Sequence, residues 1–272
     1  MRTFWLVVPK ARLPLEWKMV LELLPLTSPS DIPIIARIHL AAFLTNKFYC
    51  TVWYKGATPA VTESQESRHL HFLTSDPTVR YAKVVDYPAS SSSSDESAST
   101  DEGAIVAFAK WHVYTTAAAV DTRQDAGNRS WPPDCNIACV EDFWSKLQAV
   151  RNEWGPKLGP HLMLDILATD PAHMRRGAGR MFMKFGTDIA HEMALPCFLE
   201  GSPDGLGLYR ASGFEVVDWI WLDLAKYQDG GEPTGQKHAR QERVAGEGDG
   251  WYSHAVMIRS GPKQVSVGDK DR

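Results

Sequence analysis

The chain has 272 residues, 44% of them hydrophobic, enough to bury one substantial core. Its net charge of -4 and pI near 6.1, with no local run of lysines or arginines, exclude a nucleic-acid partner held by electrostatics. No segment reaches the roughly 18 consecutive apolar residues of a membrane span. The apolar run at 4–8 stops at Pro9 and Lys10, too short for a signal-peptide core, so a cytoplasmic protein with no membrane partner is expected.

In chain order, residues 1–18 read as an N-terminal extension, 19–260 as a single domain and 261–272 as a flexible tail. Stretches near 88–103, 115–138 and 226–250 are Ser- or Gly-rich, polar or aperiodic, and read as insertions that bury too little apolar surface to order themselves. The run at 19–27 predicts a strand. Residues 28–44 predict a helix, with Ser30 as its cap and Ile34, Ile35, Ile38, Ala41 and Ala42 at helical spacing. A second helix is expected around 63–74. Strands at 80–87 and 103–114 form a hairpin across the serine tract.

Residues 139–154 predict an amphipathic helix with Phe143, Leu147 and Val150 on one side, ended by the breakers Gly155 and Pro156. A strand at 162–169, a helix at 176–193, a strand at 197–202, a short helix near 205–212 and strands at 215–224 and 253–259 complete the chain. Such an order predicts an α+β fold, a sheet flanked by helices.

The junction at 170–186, DPAHMRRGAGRMFMKFG, carries the chemistry. Where a strand runs into a helix, several N–H groups lack internal partners and the helix dipole adds partial positive charge. Gly177 and Gly179 clear side chains from the main chain there, and Arg175, Arg176 and Arg180 add positive charge, which suits a pyrophosphate. The Walker pattern needs Gly-Lys-Ser/Thr and the dinucleotide fingerprint a third glycine where Phe182 stands, so neither fits. Downstream, LEGSPDGLGLYRASGFEVV places Tyr209 on a short helix before a Gly213-Phe214 turn.

Together these two regions resemble the GNAT superfamily of acyl-CoA-dependent N-acetyltransferases, in a fungal-type form with long insertions. Its motif reads Gln/Arg-x-x-Gly-x-Gly/Ala, followed about thirty residues later by a helix with a tyrosine and a terminal Gly-Phe. Met174 occupies the Gln/Arg position, a departure that shifts the expected pyrophosphate contact to Arg175, Arg176 and the N–H groups of Gly177, Ala178, Gly179 and Arg180.

The resemblance implies a mixed sheet of about seven strands splayed between the fourth and fifth. It implies acetyl-CoA as co-substrate with no metal, a small amine as acceptor, and a monomer or homodimer. The main chain of Leu167, Ala168 and Thr169 would hold the pantetheine arm, with Ser202 and Tyr209 completing the cofactor site. Tyr209 would protonate the departing thiolate. An inactive CoA-binding regulatory module and an O-acetyltransferase are the alternatives.

Asp165 and Glu200 are the candidate carboxylates for the amine's proton, since a charge inside an apolar strand is costly unless paired or used. Asp165 is expected on one strand face with Leu167 and Thr169. A structural role as partner to a nearby backbone group or arginine is equally open to both. His39, His112 and His161 stay outside the expected site. The aromatic stretch 43–56 lies where the resemblance places the acceptor pocket, with Trp111 and Tyr114 as further lining, and suggests an aromatic or apolar amine. The overall negative charge suggests a cationic one. The four cysteines form no CxxC pair and read as reduced thiols, Cys50 and Cys197 in apolar surroundings.

Overall fold

A computed structural model describes residues 20–87, 103–116, 130–227 and 250–262. The N-terminal extension, most of each insertion and nearly all of the tail lie outside the described residues. Seven strands form one mixed sheet in the order β1-β2-β3-β4-β5-β7-β6. They are β1 (Val20–Pro25), β2 (Val79–Tyr87), β3 (Ala104–Tyr114), β4 (His161–Thr169), β5 (Cys197–Gly201), β6 (Glu215–Asp223) and β7 (Trp251–Arg259). Every neighbouring pair is antiparallel except β4 and β5. The expected α+β fold is therefore present, with β2 and β3 adjacent as predicted for a hairpin. Among the described residues, no helix is long and apolar enough to cross a membrane.

Helices cover both faces of the sheet. On one lie α1 (Ile32–Phe43), α2 (Lys47–Val52), α3 (Pro59–Ser75) and α4 (Ile137–Leu158). The other face holds α5 (Ala178–Glu192) and α6 (Leu206–Ala211). Ile35 and Ile38 bury the inner stripe of α1 against Phe108 and Ala168, while Ile34 stays on the exposed side. The cap differs from expectation: Ser28, not Ser30, accepts the N–H of Ser30 and opens a short 3-10 turn before α1. On the opposite face Phe182, Met183 and Ala190 of α5 pack onto β3 and β4.

The predicted end of α4 is too early. Gly155 and Pro156 lie within the helix, since a proline this close to the end removes only one backbone donor. The helix stops at Gly159, whose φ of 62° suits glycine and whose N–H returns to Gly155 O at 3.0 Å. Residues 130–136, expected within an insertion, are anchored instead. Asn136 caps α4 by accepting from the Cys139 N–H at 3.1 Å, donates its side-chain amide to Tyr227 O, and donates its own N–H to Val52 O. Pro132 and Cys135 are buried beside it.

Candidate active site

The parallel pair β4–β5 is in register only from Leu162 opposite Cys197 to Leu164 opposite Leu199. Beyond that the strands separate, so the β5-facing edge of β4 from Asp165 to Thr169 carries no ladder, while β3 continues to pair along its other edge. Asp165 itself is an extra residue in β4: Lys110 is opposite Ile166, but Trp111 is opposite Leu164. This bulge breaks the alternation of side chains. Asp165 and Ile166 both line one cavity, whereas Leu167 packs with the α5 face, which corrects the expectation that Asp165 and Leu167 share a side. Ala168 is buried beneath α1, so what it offers a ligand is main chain.

At the end of β4, Asp170 turns the chain by accepting the Ala172 N–H, and its other oxygen meets Arg37 at 3.1 Å. Arg175 (φ 65°) and Gly177 (φ 108°) both take positive-φ conformations just before α5 starts. Among the described residues the N–H groups of Ala178, Gly179 and Arg180 have no hydrogen-bond acceptor, and no atom stands within 4 Å of a side chain built on Gly177. Arg175 and Arg180 are exposed. The three arginines are not equivalent, because Arg176 makes a two-pronged ion pair with buried Asp86 on β2, and His173 joins it. That pairing holds the Asp86 carboxyl below its usual range and ties the turn to the sheet. Gly179 serves packing as well: a side chain there would meet Leu208 of α6 at 2.9 Å.

Ser202 directly follows β5 and opens a 3-10 turn, Pro203–Gly205, that leads into α6. Tyr209 lies one helical turn on, its ring against Gly201 and Gly205, where any side chain would come within about 2.5 Å of it. Its hydroxyl has no hydrogen-bond partner among the described residues. Burial, reinforced by Asp204, pushes the phenol up to about 12, so it remains a proton donor at neutral pH.

On the other face of the splay lies a cavity of about 170 Å³. Phe43, Phe48, Tyr49 and Trp53 from the aromatic stretch line it, with Tyr114, Trp131 and Phe143. Trp111 does not contribute, since it points to the opposite face and packs under Gly186 of α5. The polar wall is a network of ion pairs. Asp165 contacts Lys110 at 2.7 Å and Arg151 at 3.4 Å, and Arg151 grips both oxygens of Glu200 at 2.8 and 3.0 Å. Burial alone would raise Asp165, but Lys110, His112 and Arg151 outweigh it and hold its carboxyl well below the usual range. Both predicted carboxylates thus meet at one wall, already engaged by cations.

Several lining residues escaped the sequence reading. Arg68 and Gln65 project from α3 and Arg151 from α4, and the cavity also takes in His39 and His112, which the sequence places outside the expected site. Glu200 opposite Arg151 is a pairing 49 residues apart that no local pattern reveals. His39 donates or accepts with His69 at 3.0 Å, and His69 with the Tyr81 hydroxyl at 2.8 Å. Burial, with Arg68 and Lys110 nearby, lowers His39 to about 3. His112 stands between Thr78, at 2.9 Å, and Asp165. Burial also raises the Cys197 thiol to about 11, which disfavours a thiolate nucleophile there. Cys50, expected in apolar surroundings, is exposed; it and the other three cysteines are free.

No family model matches the sequence, and no curated protein matches it. Solved structures do. A mosquito arylalkylamine N-acetyltransferase-like protein superposes with a TM-score of 0.50 at 15% identity, covering 89% of this chain and 99% of its own. A Drosophila melanogaster polyamine N-acetyltransferase that forms N-acetylagmatine gives 0.51 at 12% identity, over 89% and 100%. An agmatine N-acetyltransferase variant gives 0.50 at 12%, over 88% and 98%. At such identities the likeness speaks for architecture: the chain has the fold of the GNAT-superfamily N-acetyltransferases.

Proposed function

We propose that the protein moves an acetyl group from acetyl-CoA to a primary amine of a small molecule by direct attack within a ternary complex. The observation that carries this reading is the separation of β4 from β5 after Leu164, with unpaired helix N–H groups at one end of the opening and an aromatic-lined cavity on one side. The amine acceptors named for two structurally similar proteins, arylalkylamines and agmatine, support a small amine here.

The pantetheine arm lies along the main chain of Leu167, Ala168 and Thr169 as an added strand would. An N–H of that edge polarises the thioester carbonyl, and it gains strength as charge builds on oxygen. The diphosphate rests on the N–H groups of Gly177 to Arg180, with exposed Arg175 and Arg180 around it, while Arg176 holds the turn through Asp86. Ser202 borders the arm at the end of β5. The amine attacks the carbonyl carbon, the C–S bond breaks, and Tyr209 gives its proton to the sulfur.

Asp165 is a weak base while Lys110 and Arg151 hold its carboxyl below the usual range, and Glu200 has both oxygens taken by Arg151. Their role in this reading is to position the cationic wall, and the amine's proton passes to water. Placing amine and thioester side by side supplies much of the rate without a covalent enzyme intermediate.

Thiol release from acetyl-CoA across a panel of amines and amino acids tests the reading. Turnover with at least one amine is expected, and Tyr209→Phe should lower kcat roughly 10- to 100-fold while leaving acetyl-CoA binding intact. Binding without release across the panel would make the protein a non-catalytic CoA-binding module. Absence of binding would remove both readings.

A further inference from the structure

The cavity contains an arginine with no carboxylate in direct contact. Of the charged side chains on its polar wall, Arg151 is paired with Glu200, and Asp165 is paired with Lys110 behind it. Asp76 accepts from the Thr78 backbone and hydroxyl and approaches His112. Among the described residues Arg68 makes no ion pair and no hydrogen bond; its guanidinium carbon lies 5.8 Å from the Trp131 ring, and Asp165 is the strongest opposing charge that acts on it. Arg68 is half-buried, and burial lowers it from its ordinary value against the opposing charge of Asp165. Gln65, one turn earlier on α3 and 3% exposed, lines the same cavity and also makes no hydrogen bond among the described residues. A planar fork of donors beside an amide is the arrangement that receives a carboxylate.

We infer that the acceptor amine carries an anionic group, a carboxylate, which Arg68 binds with Gln65 beside it while the aromatic walls pack against a body of about one ring. The dimension follows from volume, since a cavity of about 150 Å³ accommodates benzene and this one measures about 170 Å³. The inference rests on reading this cavity as the acceptor site. It assigns the substrate to amino acids with an aromatic or comparably bulky apolar side chain, and it opposes the cationic acceptor that the overall negative charge suggests.

L-phenylalanine and 2-phenylethylamine differ only by the carboxylate, so their kcat/KM ratio in the thiol-release assay reads the proposal directly. The wild type should favour phenylalanine by roughly 30-fold or more. Arg68→Met should abolish the preference, and Arg68→Lys, which keeps the charge but loses the fork, should retain part of it. Equal or better use of 2-phenylethylamine by the wild type would overturn the inference, as would an unchanged ratio in folded Arg68→Met.

A binding arm separates this inference from the proposed activity. Quenching of tryptophan fluorescence by 3-phenylpropanoate should be at least about tenfold tighter than by 3-phenylpropan-1-ol in the wild type, and equal for the two in Arg68→Met. That result without acetylation of any amine would leave the anion site standing and the transferase reading refuted. Failure to prefer the acid would refute the anion site even if acetylation occurs.

Discussion

Tyr209 is held by the absence of side chains around it. Its ring occupies the space that a side chain on Gly201 or Gly205 would fill, so the glycines flanking the 3-10 turn fix where the hydroxyl points. Gly201→Ala should therefore push the ring away and lower kcat comparably to Tyr209→Phe, roughly 10-fold or more. Acetyl-CoA affinity, measured by calorimetry, should change less than about threefold. Loss of affinity with kcat unchanged would contradict the assignment of Tyr209.

His254 offers a separate test of burial. It is 4% exposed among Phe48, Phe143 and Tyr252, its Nδ1 has no partner, and burial lowers it to about 3. Because the folded value lies below the unfolded one near 6.5, the unfolded chain takes up a proton that the native chain refuses. Stability should then fall as pH drops from about 6.5 towards 3, by about 1.4 kcal/mol per pH unit from this residue. His254→Phe should remove about 2 kcal/mol of the stability difference between pH 7 and pH 5 in urea melts; an unchanged difference would contradict it.

At this scale the sequence singles out Tyr209 as a candidate through the local Gly-Phe turn after it, and the structure places that turn directly after α6. It does not reveal Arg68, because the residue lies in the unbroken polar run 62–69 of α3, where an arginine resembles a solvated one. Only the enclosure by α2, α4 and the sheet makes it a cavity residue.

Among the elements, α5 combines two requirements that glycines meet differently. Gly177 takes φ of 108° in open space, so a side chain there is strained by the backbone alone, at a cost of about 1–3 kcal/mol. Gly186 has ordinary backbone geometry and lets the helix rest on the Trp111 indole. Gly177→Val should weaken acetyl-CoA binding at least about tenfold, whereas Gly186→Ala should destabilise by about 1–3 kcal/mol through overpacking and leave affinity nearly unchanged. Calorimetric titration with thermal melts distinguishes them, and an unaltered affinity for Gly177→Val would count against the turn as the diphosphate site.

Element type and order were legible from periodicity and turn residues over most of the described chain. Two features were not. The length of α4 depends on Gly159, because Pro156 near a helix end sacrifices little. The bulge at Asp165 arises from the register against β3, a non-local pairing, and it alone places Asp165 and Ile166 on the same side.

For the whole molecule, the sheet divides the cavity from the proposed cofactor turn. One face, closed by α1 to α4, shapes the cavity, and the other, closed by α5 and α6, carries the turn and Tyr209; the gap between β4 and β5 joins them. A ligand bridging that gap ties the two halves of the sheet together. Acetyl-CoA at about 100 times its Kd should stabilise the fold by about 2.7 kcal/mol, visible as a rise in Tm. No shift at millimolar ligand would mean that the gap does not bind it.

The central claim is where the cofactor lies, and a crystal structure of the complex with acetyl-CoA tests it most directly. The account predicts diphosphate oxygens within hydrogen-bonding distance of the N–H groups of Gly177 to Arg180, with the pantetheine arm along Leu167 to Thr169 and the sulfur beside the Tyr209 hydroxyl. Density for the cofactor in the aromatic cavity, or anywhere away from the start of α5, would contradict it.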